Sequence, residues 1–178
     1  MAIRKILQAK LTGGSDENEI FLHTSAAPVK IVTREIRQII QDLKQTLSAY
    51  PFCVGLSAPQ IGESYAISVV NANRTENGDD LVLINPQIIK LSGKKDQKRE
   101  SCMSVWGKYG EVERREKLVI SYQDEYLEVH QLSCSGFEAR VIQHEIDHLN
   151  GVLYSDKLFR DTGLQPADFF DGYAIIEK

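Results

Sequence analysis

The segment Gln143-His144-Glu145-Ile146-Asp147-His148 constrains the fold of this chain more than any other stretch. Phe137, Val141, Ile142, Ile146 and Leu149 recur around it at helical spacing, so it reads as part of an apolar helix bound for the interior. That helix begins near Gly136, where Ser135-x-x-Glu138 matches a capping box, and Asn150-Gly151 supplies its stop. Burying two imidazoles and a carboxylate is unfavourable unless something compensates. Residues four apart are neighbours on a helix surface, so His144 and His148 can reach one divalent ion together. Glu145 is turned about 100° from His144, where it can address a water without ligating the ion. The competing reading is a pair of hydrogen-bonded core histidines with Glu145 in a salt bridge.

Elsewhere the chain mixes helix and strand. Ile36, Ile39, Ile40, Leu43 and Leu47 predict a helix over Arg34–Ala49, with Thr33 as N-cap and Pro51 as stop. Tyr65–Val70 and Leu81–Asn85 read as short strands on either side of a polar loop over 71–80. Val112–Tyr122 and Tyr126–Leu132 read as a hairpin turning at Gln123-Asp124-Glu125. Residues 12–19 are polar and turn-rich and read as a surface loop. The fold class expected is α+β: antiparallel sheets around a buried C-terminal helix, with the Arg34–Ala49 helix packed outside. No linker or repeat divides the chain, so residues 1–178 are expected to form a single domain.

A net charge of −4 provides no basic field for a nucleic-acid backbone, and direct DNA binding is not expected. No apolar stretch approaches the roughly 20 residues of a membrane span, and the N-terminus lacks a secretory pattern. The cytoplasm is the expected location. Cys53, Cys102 and Cys134 are odd in number and include no CxxC, which argues against a disulfide framework or a zinc ribbon. A catalytic ion takes three protein ligands and leaves one position open. Cys102, Cys53, Cys134, His23, His130 and many carboxylates could each supply the third, and spacing alone does not choose.

Three ordered segments do. Cys53-Val54-Gly55-Leu56-Ser57-Ala58-Pro59-Gln60 resembles the GxGLAAxQ motif of the peptide deformylase family. Glu100-Ser101-Cys102-Met103-Ser104 resembles its EGCLS, and Gln143–His148 matches its QHExDH in full. The resemblance runs from about Pro28 onward and is poor over residues 8–25. It implies that Cys102, His144 and His148 hold one divalent metal ion, Fe2+ in the cell, with Zn2+ or Ni2+ as alternatives. Glu145 would act as general base. Gln60 and the Met103 amide would donate hydrogen bonds to the developing oxyanion. Val54, Gly55, Glu100, Met103 and Val141 would line the substrate site, and Asp147 would support the ligands from behind.

The function implied is hydrolytic removal of the N-formyl group from the N-terminal methionine of nascent chains, releasing formate. The substrates would be N-formyl-Met peptides, with ribosome association a further expectation. Four positions depart from the motifs: Cys53 and Ser101 stand where the family has glycine, Ser57 where it has alanine, and Met103 where it has leucine. A Cβ at Cys53 or Ser101 would be strained if the backbone there needs φ > 0. The altered glycines motivate one alternative, a deformylase-like protein that binds without catalysis. The HExxH string motivates another, a zinc endopeptidase, whose third ligand would be a carboxylate or histidine downstream of His148; no histidine occurs there, and Asp156, Asp161, Asp168, Asp171 and Glu177 lack the expected helical setting.

Overall fold

The computed structural model describes residues 2–11, 16–73, 80–159 and 163–167. Its elements are α1 (Glu17–Leu22), α2 (Arg34–Ser48), β1 (Gly55–Ser57), β2 (Ile67–Val70), β3 (Leu81–Cys102), β4 (Val105–Gln123), β5 (Val129–Ser135), α3 (Gly136–Leu149) and β6 (Gln165–Pro166). Short 3-10 turns occupy Ala58–Ile61 and Tyr154–Lys157. The strands form one antiparallel sheet in the order β1-β2-β3-β4-β5, with β6 added to β4. The expectation of several antiparallel sheets thus resolves into one. Its continuity comes from two long strands that bend at repeated register breaks between Ile84 and Cys102.

Alternation along the central strands explains how the sheet is covered. Val69, Val82 and Ile84 pack into one core with Ile36, Ile39, Ile40, Leu43 and Leu47 of α2. Val70 and Leu83 point the other way, into a core with Val141, Ile142 and Ile146 of α3. Both faces of β2 are therefore buried, which is why its text is unbroken by exposed polar positions. A third core gathers Leu22, Cys102, Val105, Val112, Leu153 and Tyr154. Met103, Val141 and Cys102 each belong to a different core and all three line one cleft, so the cleft sits where the cores meet.

Several sequence-predicted boundaries move. Helix α2 agrees closely, and the Thr33 side chain accepts a hydrogen bond from the Ile36 amide. Strand β3 runs far beyond Asn85. Its charged stretch from Lys94 to Arg99 carries no apolar alternation and becomes strand only by pairing with β4, an example of context overriding propensity. Lys95 pairs there with Glu113, Lys98 with Asp96, and Arg99 lies over the Tyr109 ring. Pro86 is accommodated because it falls at a register break just past the last β2 pairing. Strand β5 starts at Val129, not Tyr126, because Asp124 Oδ1 accepts the amides of Tyr126 and Glu128 and closes a longer turn.

The loop expected over 12–19 is in part a helix. Asp16 caps α1 through the Glu19 amide, while residues 12–15 lie outside those described. Of the loop expected over 71–80, residues 74–79 lie outside them too. Ser135 makes no side-chain capping bond, so the expected capping box is absent. Ser135 is still a strand residue opposite Lys117, and Gly136, at φ +63°, turns the chain straight from β5 into α3. Phe137, read as part of the buried stripe, is 58% exposed at the cleft mouth.

Candidate metal centre and cleft

Helix α3 carries His144 and His148 on one face, and the end of β3 brings Cys102 to them. The three ligand atoms lie within 4.8 Å of one another, and Cys102 Sγ is 3.2 Å from His148 Nε2. A tetrahedral ion with bonds of about 2.0–2.1 Å to nitrogen and about 2.3 Å to sulfur needs these donors roughly 3.3–3.6 Å apart. Thiolate and imidazole are the donors that first-row divalent ions favour. The residues present therefore fit a metal. Asp124, Glu128 and His130 also converge at the β4–β5 turn. There, however, Asp124 is already engaged by the Tyr126 and Glu128 amides and by His130 Nε2.

The orientation of His144 is set from behind. Its Nδ1 lies 3.0 Å from Glu100 Oε2, which leaves Nε2 for the Cys102 side. Glu100 in turn accepts from Arg114 Nε and Arg140 Nη1, each at 2.6 Å, and from Arg114 Nη2 at 2.8 Å. Arg114 Nη1 reaches Asp147 Oδ2 at 2.7 Å, and Lys157 Nζ closes the outer edge. Burial alone would raise the pKa of Glu100, but hydrogen bonds from His144 and Arg114 hold it well below the carboxylate range. His144 is pushed the other way: burial opposes its charge, yet the Cys102 sulfur and Glu100 hold its pKa well above the usual value. The His144 ring also stacks on Tyr154, whose hydroxyl donates to the Lys108 carbonyl.

Gln60 arrives on the 3-10 turn after β1. Its Oε1 accepts the Ser57 amide at 2.9 Å, so its NH2 faces Cys102 Sγ at 3.4 Å and Ser104 Oγ at 3.3 Å. Gly55 lies across the cleft. A methyl group there would sit 2.5 Å from Glu145 Oε1 and 2.9 Å from Val141 Cγ1, so glycine is needed for room. Glu145 is buried, and burial raises its pKa above the usual value. Val54, Gly55, Gln60, Glu100, Met103 and Val141 line the same cleft of about 280 Å³ as Cys102, His144 and Glu145. Of the site residues named from the sequence, His148 and Asp147 do not line it: His148 is 1% exposed beside Cys102, and Asp147 pairs with Arg114 behind the ligands.

The polypeptide deformylase family model matches residues 11–162. The chain belongs to the peptide deformylase family. It is 39% identical to the peptide deformylase of Chlorobaculum parvum over 140 residues, 77% of this chain and 74% of that one. With the peptide deformylase of Chloroflexus aurantiacus it shares 34% over 171 residues, 89% of this chain and 88% of that one. The crystal structure of the Thermotoga maritima peptide deformylase superposes with a TM-score of 0.78 at 28% identity, covering 89% of this chain and 99% of that one. A peptide deformylase from Synechococcus elongatus, in complex with actinonin, gives 0.74 at 36% identity, covering 90% of this chain and 87% of that one.

The departures from the family motifs are accommodated. Neither Cys53 nor Ser101 has positive φ, so side chains there impose no backbone strain. The family match does not favour the endopeptidase alternative, and among its candidate ligands Asp156 is bonded to His23 and to the Leu153 amide. Asp161, Asp168, Asp171 and Glu177 lie outside the described residues. Sequence reading missed Arg114 and Arg140. The signal for Arg114 was present, since Val112, Arg114, Leu118 and Ile120 share one strand face and the arginine is a charge at an inward position. It also missed the N-terminal segment, where Leu7 N bonds Gln60 O, Ala9 N bonds Ser104 O and Gln8 Nε2 bonds Met103 O.

Proposed function

We propose that this deformylase hydrolyses the N-formyl group from N-formyl-Met peptides of nascent chains, with Cys102, His144 and His148 as the metal ligands and Glu145 as general base. The convergence of one sulfur and two imidazole nitrogens beside a buried glutamate carries this reading. When bound, the ion supplies Lewis acidity at the reacting carbonyl and lowers the pKa of water. Glu145 takes a proton from the attacking water. Gln60 Nε2 and the Met103 N–H donate to the formyl oxygen as it gains negative charge. Glu145 then delivers the proton to the leaving nitrogen, and formate and the free amine depart. Val54, Gly55, Met103 and Val141 hold the substrate, and the tight wall at Gly55 favours the smallest acyl group. Glu100 borders the cleft, but its carboxylate is committed to His144, Arg114 and Arg140.

Fe2+ is the ion we assign in the cell. Thiolate and imidazole alone also accept Zn2+ or Ni2+. We take residues 1–178 as one metallohydrolase domain acting in the cytoplasm, in association with the ribosome. Among the described residues no helix is long and apolar enough to cross a membrane. The test is formate release from formyl-Met-Ala-Ser by anaerobically purified, Fe2+-loaded protein. Turnover that falls by about 10²–10⁴ in Glu145→Ala, with metal content kept, supports the reading. Wild-type turnover retained in that variant, or none in the loaded wild type, contradicts it.

A further inference from the structure

Ser57 and Ser68 face each other in register on β1 and β2, both fully buried, on the sheet face that packs against α3. Their hydroxyls lie 2.7 Å apart, and Ser57 Oγ is 2.6 Å from Glu145 Oε2. Each hydroxyl has one proton. If Ser57 donates to the carboxylate along its shortest contact, Ser68 is left to donate to Ser57, and the two protons point in sequence toward Glu145. The other carboxylate oxygen, Oε1, lies against the space that a Gly55 side chain would fill, on the cleft wall. The two oxygens of Glu145 thus have different surroundings. One is held from behind by a hydroxyl pair and the other faces the cleft.

We propose that the Ser68–Ser57 pair is a positioning device that pins Glu145 by Oε2 and leaves Oε1 as the oxygen that exchanges protons in the reaction. The proposal rests on Glu145 acting as general base. Water gives one proton to Oε1 as its oxygen bonds to the formyl carbon, and Oε1 gives that proton to the nitrogen as the C–N bond breaks. Throughout, the Ser57 O–H stays on Oε2, so the carboxylate does not rotate between the two transfers. Ser57 stands where the family motif has alanine, so this hydroxyl is not a requirement of the reaction. Its removal should therefore slow turnover without abolishing it.

Two measurements on metal-loaded protein test the idea. Ser57→Ala should lower kcat roughly tenfold while KM stays within about twofold, since an imprecisely held base weakens the transition state more than substrate binding. Ser68→Ala should have a smaller effect, and adding it to Ser57→Ala should have almost none. Urea unfolding of wild type, Ser57→Ala, Glu145→Ala and the double variant reads the contact without turnover. A smaller stability loss from Ser57→Ala in the Glu145→Ala background supports it. Unchanged kcat in Ser57→Ala, or an equal stability loss in both backgrounds, overturns it. If loaded wild type releases no formate, the deformylase reading fails, while the unfolding cycle still decides whether Ser57 holds Glu145.

Discussion

At the scale of single residues, the site depends on close approach. Gly55 leaves Glu145 and Val141 the space they occupy, and any Cβ there forces one of them to move. Gly55→Ala should therefore lower kcat/KM on formyl-Met peptides by about 10²-fold, the cost of an ångström-scale displacement at a reacting group. Steady-state kinetics would check this, and activity within a few-fold of wild type would show that Glu145 can shift harmlessly. His144 and His148 were legible as a metal-capable pair from their spacing, whereas Cys102 was singled out only by the resemblance of its segment to a family motif. Ser57 was visible only as a departure from a motif. Its contact with Glu145 depends on two strands and a helix meeting, which no local text encodes.

At the scale of elements, α3 is held to β3 and β4 by charges as well as by apolar packing. Glu100 on β3 joins Arg114 of β4, Arg140 and His144 of α3 in one buried network. Glu100→Ala would leave two buried guanidinium groups short of a partner and His144 without its Nδ1 acceptor. The expected result is a loss of about 3–5 kcal/mol in stability and roughly 10–100-fold in metal affinity. Chemical unfolding and a competitive chelator titration measure the two. Unchanged metal affinity would confine Glu100 to packing and lining. Helices α2 and α3 were readable from periodicity, whereas α1 and the length of β3 were not. Its second half is polar, and only the partner strand makes it a strand.

At the scale of the whole molecule, the N-terminal segment ties the cores together. Residues 2–8 run from α2 to the cleft. Arg4 pairs with Asp42 and Glu63, and Gln8 reaches the Met103 carbonyl. Burial opposes ionisation of Asp42, but hydrogen bonds from Gln38, Arg4 and the Ala2 amide hold its pKa below the ordinary 3.8. A depressed carboxylate stabilises the fold fully above its unfolded pKa and ceases to as pH falls through the folded one. The stability difference between wild type and Asp42→Asn should thus be constant above about pH 5 and narrow below pH 3.8. Unfolding free energies across that range would show it, and a difference independent of pH would remove Asp42 from the account. This segment was not legible in the sequence, because Arg4 and Gln8 find their partners 38 to 95 residues away, contacts that no local pattern encodes.

The coordination set itself is open to direct measurement by X-ray absorption on Zn2+-loaded protein, wild type and Cys102→Ala. The wild type should show one ion per chain with one sulfur at about 2.3 Å and two imidazole nitrogens at about 2.0–2.1 Å. The sulfur shell should vanish in Cys102→Ala. A wild-type ion without sulfur, or a sulfur shell that survives the substitution, would contradict the site built here from Cys102, His144 and His148.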